Sequence, residues 1–205
     1  MMFKRRIGLG ILQGVWFFLI LITGVTLVGC GQPPEDEGLN PVDQIWAEII
    51  PEKGTATRYG IPLSLENTQQ FIDWYNSIEL SVVEQAIRDD ALGSLVAPCC
   101  DQYPMSSCCC ECNLARSVWG LSAYLIAERS YGVAEVEEAA SQWLHFIRPD
   151  YYVASALQKE KFNPLRFGFT TEDSCFAKGG CYLPFYSRMV AYHLGGCGGM
   201  EELIK

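Results

Sequence analysis

Nine cysteines follow Cys30 in this 205-residue chain, and six of the nine fall within fourteen residues. They read Pro98-Cys99-Cys100 and then Cys108-Cys109-Cys110-Glu111-Cys112, while Cys175, Cys181 and Cys197 lie far along the chain. Sulfur at this density can form disulfides, hold a metal as thiolate, or exchange electrons. Sequence neighbours rarely bridge each other, because a trans peptide points their side chains apart. Each adjacent cysteine therefore needs a distant partner, nine is an odd number, and only three cysteines lie outside the cluster. Complete oxidation would require several bridges within one fourteen-residue loop. One ion answers the same constraint by accepting several converging thiolates.

Cys109 to Cys112 supplies a C-x-x-C spacing, the reach at which two sulfurs hold one soft cation. Asn113-Leu114-Ala115-Arg116 then opens a helix whose positive end, with Arg116 close by, favours thiolate over thiol. The expected ligand set is Cys99, Cys100, Cys108, Cys109, Cys110 and Cys112, with Cys175, Cys181 and Cys197 completing the site or forming one disulfide. Glycines on both sides of Cys197 allow close backbone approach. Softness selects Cu(I) or Zn(II) as cofactor, and one C-x-x-C instead of two leaves the choice between them open. Met105 and Met200 are either thioether ligands for copper or gap fillers. His193, four residues after Met189 and four before Cys197, is the nitrogen ligand candidate. His145 aligns with Glu138 and Ser141 on the polar side of its helix and reads as solvated.

The location of this chemistry is written at the N-terminus. Lys4, Arg5 and Arg6 precede an uncharged apolar stretch, Ile7 to Gly29, and fix that end on the cytoplasmic side of a membrane. The stretch ends in Leu27-Val28-Gly29-Cys30, which resembles the lipobox of bacterial lipoproteins. The resemblance implies cleavage after Gly29 and a diacylglyceryl group on Cys30, so that the acyl chains hold the protein on the extracytoplasmic face. An uncleaved membrane-spanning helix is the alternative. Cleavage removes three bases and no acid, leaving 176 residues with 12 bases against 24 acids, a net charge of −12. Such a surface, with no Lys/Arg stripe beyond the first six residues, excludes nucleic acid as a partner.

Three segments follow: a signal peptide over 1–29, a tether over 30–60 and a cysteine-rich helical domain over 61–205. The tether contains Pro33, Pro34, Pro41 and Pro51 and the run Glu35-Asp36-Glu37, with Ile45, Trp46, Ile49 and Ile50 spaced as a short helix that docks back onto the domain. Phe71, Ile72, Trp74, Tyr75 and Ile78 mark one helix face, and Ser81 with Glu84 forms a capping box opening a second helix with Val82, Val83, Ala86 and Ile87. These two are expected to pair as a hairpin. Leu114, Val118, Leu121, Leu125 and Ile126 give a third helix, ending near Tyr131-Gly132. Val136, Ala140, Trp143, Leu144 and Ile147 give a fourth, stopped by Pro149. Beyond it only Phe185 to Leu194 has helical character. The fold class is all-α, an irregular four- to five-helix bundle with a Cys-rich loop and a less regular C-terminal section.

Pro98-Cys99-Cys100 after one helix, with Cys109 to Cys112 running into the next, resembles the PCYCGC-motif lipoproteins of bacteria. The likeness covers about Leu65 to Ile147; Cys-Tyr-Cys-Gly-Cys itself is absent and the two clusters stand closer together. It implies a metal-binding or thiol role at the cell surface. Motifs of metalloproteases, haem c attachment, serine hydrolases and nucleotide binding are missing, so a non-catalytic metal binder is expected. The alternatives are a disulfide-stabilised interaction module, presenting Phe167, Phe169, Phe176, Tyr182, Phe185 and Tyr186 to a membrane-protein partner, and a thiol–disulfide redox protein. Intact mass of protein extracted from membranes should show a chain starting at a diacylated Cys30. The Cys30→Ser chain should retain residues 1–29, and an uncleaved wild-type chain would refute the lipid anchor.

Overall fold

The computed structural model describes residues 40–98, 102–108 and 111–169. These form six α-helices and two 3-10 turns, with no strand among the described residues. No helix among them is long and apolar enough to cross a membrane.

Helix α4, Asn113–Arg129, is the axis. Leu114, Ala115, Val118, Leu121, Leu125 and Ile126 are buried along it, and so are Ser117, Gly120 and Ser122. A helix buried on most sides needs neighbours on most sides. Helix α2, Asn67–Ser77, crosses it so closely that a Cβ on Gly120 would lie 2.7 Å from the Tyr75 nitrogen and 2.9 Å from the Phe71 carbonyl carbon. Helix α5, Val133–Ile147, packs on another side with Trp143 fully buried. The Trp143 indole donates to the Ser117 hydroxyl at 3.1 Å, which donates in turn to the Leu114 carbonyl at 2.8 Å. The buried serine and indole thereby satisfy each other where water is excluded. Aromatic rings continue the seam: Trp74 stacks on Tyr124 at 3.9 Å, and Phe71 meets the edge of Trp143 at 4.8 Å.

Helix α3, Val82–Gly93, starts at the expected capping box, in which Ser81 and Glu84 each serve the other's backbone. The expected hairpin does not form. Helix α2 lies on α4, whereas α3 packs against α5, α4 and the 3-10 turn Met105–Ser107. The reason is visible in which residues turn inward. Ala91 and Leu92 are fully buried and Ile87 packs against the core, whereas Val82 and Val83 remain 83% and 71% exposed, so of the apolar group expected on α3 the two valines lie on its outside.

Pro149 does not end helical structure; it opens α6, Pro149–Lys159, as a first-turn proline with no amide hydrogen to lose. At the joint between α5 and α6, Arg148 grips Asp150 with two hydrogen bonds of 3.1 and 3.0 Å, both side chains nearly buried. Helix α1, Pro41–Ile49, is the short helix expected in the tether, capped by Asn40. It docks on α6, where Val42, Ile45 and Ile50 join Val153, Ala154, Leu157 and Phe169 in a second apolar cluster. Residues 50–66 then cross to the main core, inserting Tyr59 and Leu63.

Replacing Gly120 by alanine puts a methyl group into the backbone of α2, which cannot yield as a side-chain tip would. The melting midpoint of Gly120→Ala should fall by an amount equivalent to about 1–3 kcal/mol or more. Gly132→Ala, whose Cβ would meet nothing within 4 Å, should leave it within a degree or two of wild type, roughly the scale of a surface change.

Candidate functional site

Cys112 is the N-cap residue of α4, with extended backbone at φ −74° and ψ 168°, and its carbonyl accepts the first helical bond from Arg116 at 2.9 Å. The helix thus starts where the sequence placed it, with Cys112 at its positive end. Cys108 follows the 3-10 turn directly. Both cysteines are half-buried and pack against the main core. Arg116, one turn on, is also half-buried, with its Nε shielded from solvent and without a hydrogen-bond partner among the described residues.

The chain leading to Cys108 is fastened at both sides. Val96 and Pro104 form an antiparallel bridge, with the Ala97 amide donating to Tyr103 at 3.0 Å and the Met105 amide to Leu95 at 2.7 Å. Trp119 of α4 donates its indole hydrogen to the Met105 carbonyl at 2.8 Å. Met105 itself is fully buried in the core, so of its two expected roles the gap filler is the one it occupies. One pairing therefore holds the residues flanking Cys99 and Cys100, and the turn it leads into delivers Cys108.

Of the expected ligands, Cys108 and Cys112 are brought to the same core. Cys99, Cys100, Cys109, Cys110, Cys175, Cys181, Cys197 and His193, with the lipidation residue Cys30, lie outside the described residues, as do Met189, Met200 and the helix expected from Phe185 to Leu194. Among the described residues no three His, Cys, Asp or Glu side chains gather as a metal-binding group.

His145 departs from expectation. Its ring stacks on Tyr152 of α6 at 3.6 Å, and its Nδ1 donates to the Ser141 carbonyl at 2.8 Å. The neutral ring therefore keeps its hydrogen on Nδ1 and a lone pair on Nε2, since a carbonyl oxygen can only accept. Burial pushes its pKa below the ordinary histidine value. It borders an open groove of about 520 Å³ between the end of α1 and α5, lined also by Glu48, Pro51, Glu138 and Ser141. Nothing in the helical wheel of α5 announces the stack, because Tyr152 belongs to the helix hidden behind Pro149. Phe169, expected on an exposed contact surface, is buried in the second cluster, and Phe167 packs against it.

No family model, no curated protein and no solved structure matches this chain.

With its folded pKa depressed, His145 takes up a proton in the unfolded chain near pH 6.5 and in the folded one only at lower pH. Stability is therefore lost as pH falls from about 7.5 to 5.5, above the range where carboxylates titrate. Urea unfolding of His145→Phe, which keeps a ring for Tyr152, should show a smaller loss over that window. An unchanged pH slope would exclude His145 as its source.

Proposed function

We propose that this chain is a lipid-anchored protein of the extracytoplasmic membrane face that holds a soft metal ion, Cu(I) or Zn(II), through thiolates of the cysteine-rich loop between α3 and α4. The fold it implies is a helical bundle with that loop at one end and a less regular C-terminal section, in keeping with the resemblance to the PCYCGC-motif lipoproteins. The observation that carries the reading is the seat of Cys112. Cys112 is the N-cap of a seventeen-residue helix, at the end where backbone amides lack helical partners and the dipole is positive, surroundings that suit a negatively charged ligand. Cys108 sits on the same apolar support, and two neutral-backbone anchors, the Leu95–Met105 pairing and the Trp119 bond, fix its approach. Rigid support is what a metal site requires of its ligands' surroundings.

The role proposed for the ion is capture or transfer, in keeping with a cluster of soft donors in an extracytoplasmic loop. The cysteine cluster supplies the soft donors; Arg116 and the helix end lower the cost of their charge.

Metal analysis of protein purified without an affinity metal, paired with thiol titration, tests this. About one equivalent of copper or zinc per chain is expected, falling severalfold in Cys112→Ser as one ligand of a closed set is lost. Recovery of no metal together with four bridges per chain would overturn it and leave the disulfide-stabilised interaction module.

A further inference from the structure

We infer that Arg116 is a fixed counter-charge for the cysteine site and biases it toward a monovalent soft cation, Cu(I), over the divalent Zn(II). The inference rests on the metal reading above and narrows it to one of its two ions. Three basic side chains among the described residues are not exposed: Arg88, Arg116 and Arg148. Arg88 holds Asp89 at 2.9 Å, and Arg148 holds Asp150 at 3.0 Å. Arg116 holds no acid among the described residues, and its Nε, shielded from solvent, has no hydrogen-bond partner there. Withdrawing a guanidinium from water without an anion to meet it is costly. Its place on the helix adds to that cost. Arg116 lies one turn into α4, at the end that free amides and the dipole already make positive, whereas cations are favoured at the opposite end, where Arg129 stands.

The fold also gives the direction in which an anion would lie. The Arg116 amide donates to the Cys112 carbonyl at 2.9 Å, so the two residues are one turn apart on the same side of α4. Side chains in a helix lean toward its N-terminus, and an arginine at this position covers the turn that Cys112 begins. Cys108 packs on the same core as Cys112. The orphaned nitrogen and the donor set therefore fit each other, because thiolate sulfur bound to an ion keeps negative charge and accepts hydrogen bonds from N–H groups.

Charge arithmetic separates the two ions. For the same number of thiolates the Cu(I) complex is one unit more negative than the Zn(II) complex: two thiolates leave one negative charge with Cu(I) and none with Zn(II). A fixed cation repels the divalent ion twice as strongly as the monovalent one and attracts the thiolates equally in both. Softness alone does not choose between them. Arg116 adds a bias that depends on charge.

The reduced full-length chain, kept anaerobic in detergent, is titrated with Cu(I) and with Zn(II) against competing chelators of known affinity. Arg116→Gln, which keeps a polar side chain and removes the charge, should lower the ratio of Cu(I) to Zn(II) affinity about tenfold, the scale of one unit charge across a partly buried gap. Arg116→Lys, which keeps the charge, should hold the ratio within about threefold of wild type. The melting midpoint of metal-free Arg116→Gln should equal or exceed that of wild type, since a cation without an anion is removed. An unchanged ratio in Arg116→Gln, or an equal loss of both affinities, would overturn the inference and leave the metal reading in place, the second result giving Arg116 a merely structural part. A lower metal-free midpoint would also sink it, by assigning Arg116 to a carboxylate of its own chain. Failure of the wild-type chain to take up either ion would remove the metal reading and this inference with it.

Discussion

The contact between α2 and α4 at Gly120 is the constraint from which the arrangement follows. With hydrogen as the only side chain, the two backbones approach within van der Waals distance, and the larger residues on either side interlock around that point. Phe71, Trp74 and Tyr124 then stack along the crossing, and Trp143 from α5 closes it edge-on. Packing this tight is directional: a given pair of helices either meets at its small residue or stays apart. Because α4 commits to α2 and α5 here, α3 is left to cover the remaining side and cannot also lie along α2.

The position of the cysteine loop is a consequence. It leaves the end of α3 and enters the start of α4, so its ends are set by two helices already locked into the core. Backbone pairing between Leu95–Ala97 and Tyr103–Met105 narrows the path further. In this region Trp119 meets a backbone carbonyl, Ser117 meets Trp143, and Cys108 and Cys112 pack against the apolar core, while the buried Arg116 Nε has no partner among the described residues.

A second assembly forms around α6. The Arg148–Asp150 pair fixes the turn from α5, and α1 returns from the N-terminal side to cover α6 with Val42, Ile45 and Ile50. Breaking such a buried pair leaves one charge uncompensated in low dielectric, a large penalty compared with a surface ion pair such as Lys53–Glu66. Tyr152 and His145 sit where the two assemblies meet, and burial raises the tyrosine hydroxyl's pKa as it lowers the histidine's. Tyr59, inserted from the 50–66 segment, has its hydroxyl pushed up to about 12 for the same reason.

Local signals were legible wherever one residue acts on its immediate neighbours. The capping box at Ser81 and Glu84, the start of α4 after Cys112, and the buried stripes of α4 and α5 could all be read from spacing, because helix periodicity and end chemistry operate within a few residues. Partner choice could not: a stripe says that a face will be covered and not by what, so the expected α2–α3 hairpin gave way to pairings decided at Gly120. Pro149 shows the same limit, since a proline that stops one helix is equally suited to begin the next, and only the docking of α1 and the Arg148–Asp150 pair favours the latter. Val82 and Val83 look identical on paper whether they point into a core or into water; in the structure α3 turns Ala91 and Leu92 into the core and leaves the two valines exposed.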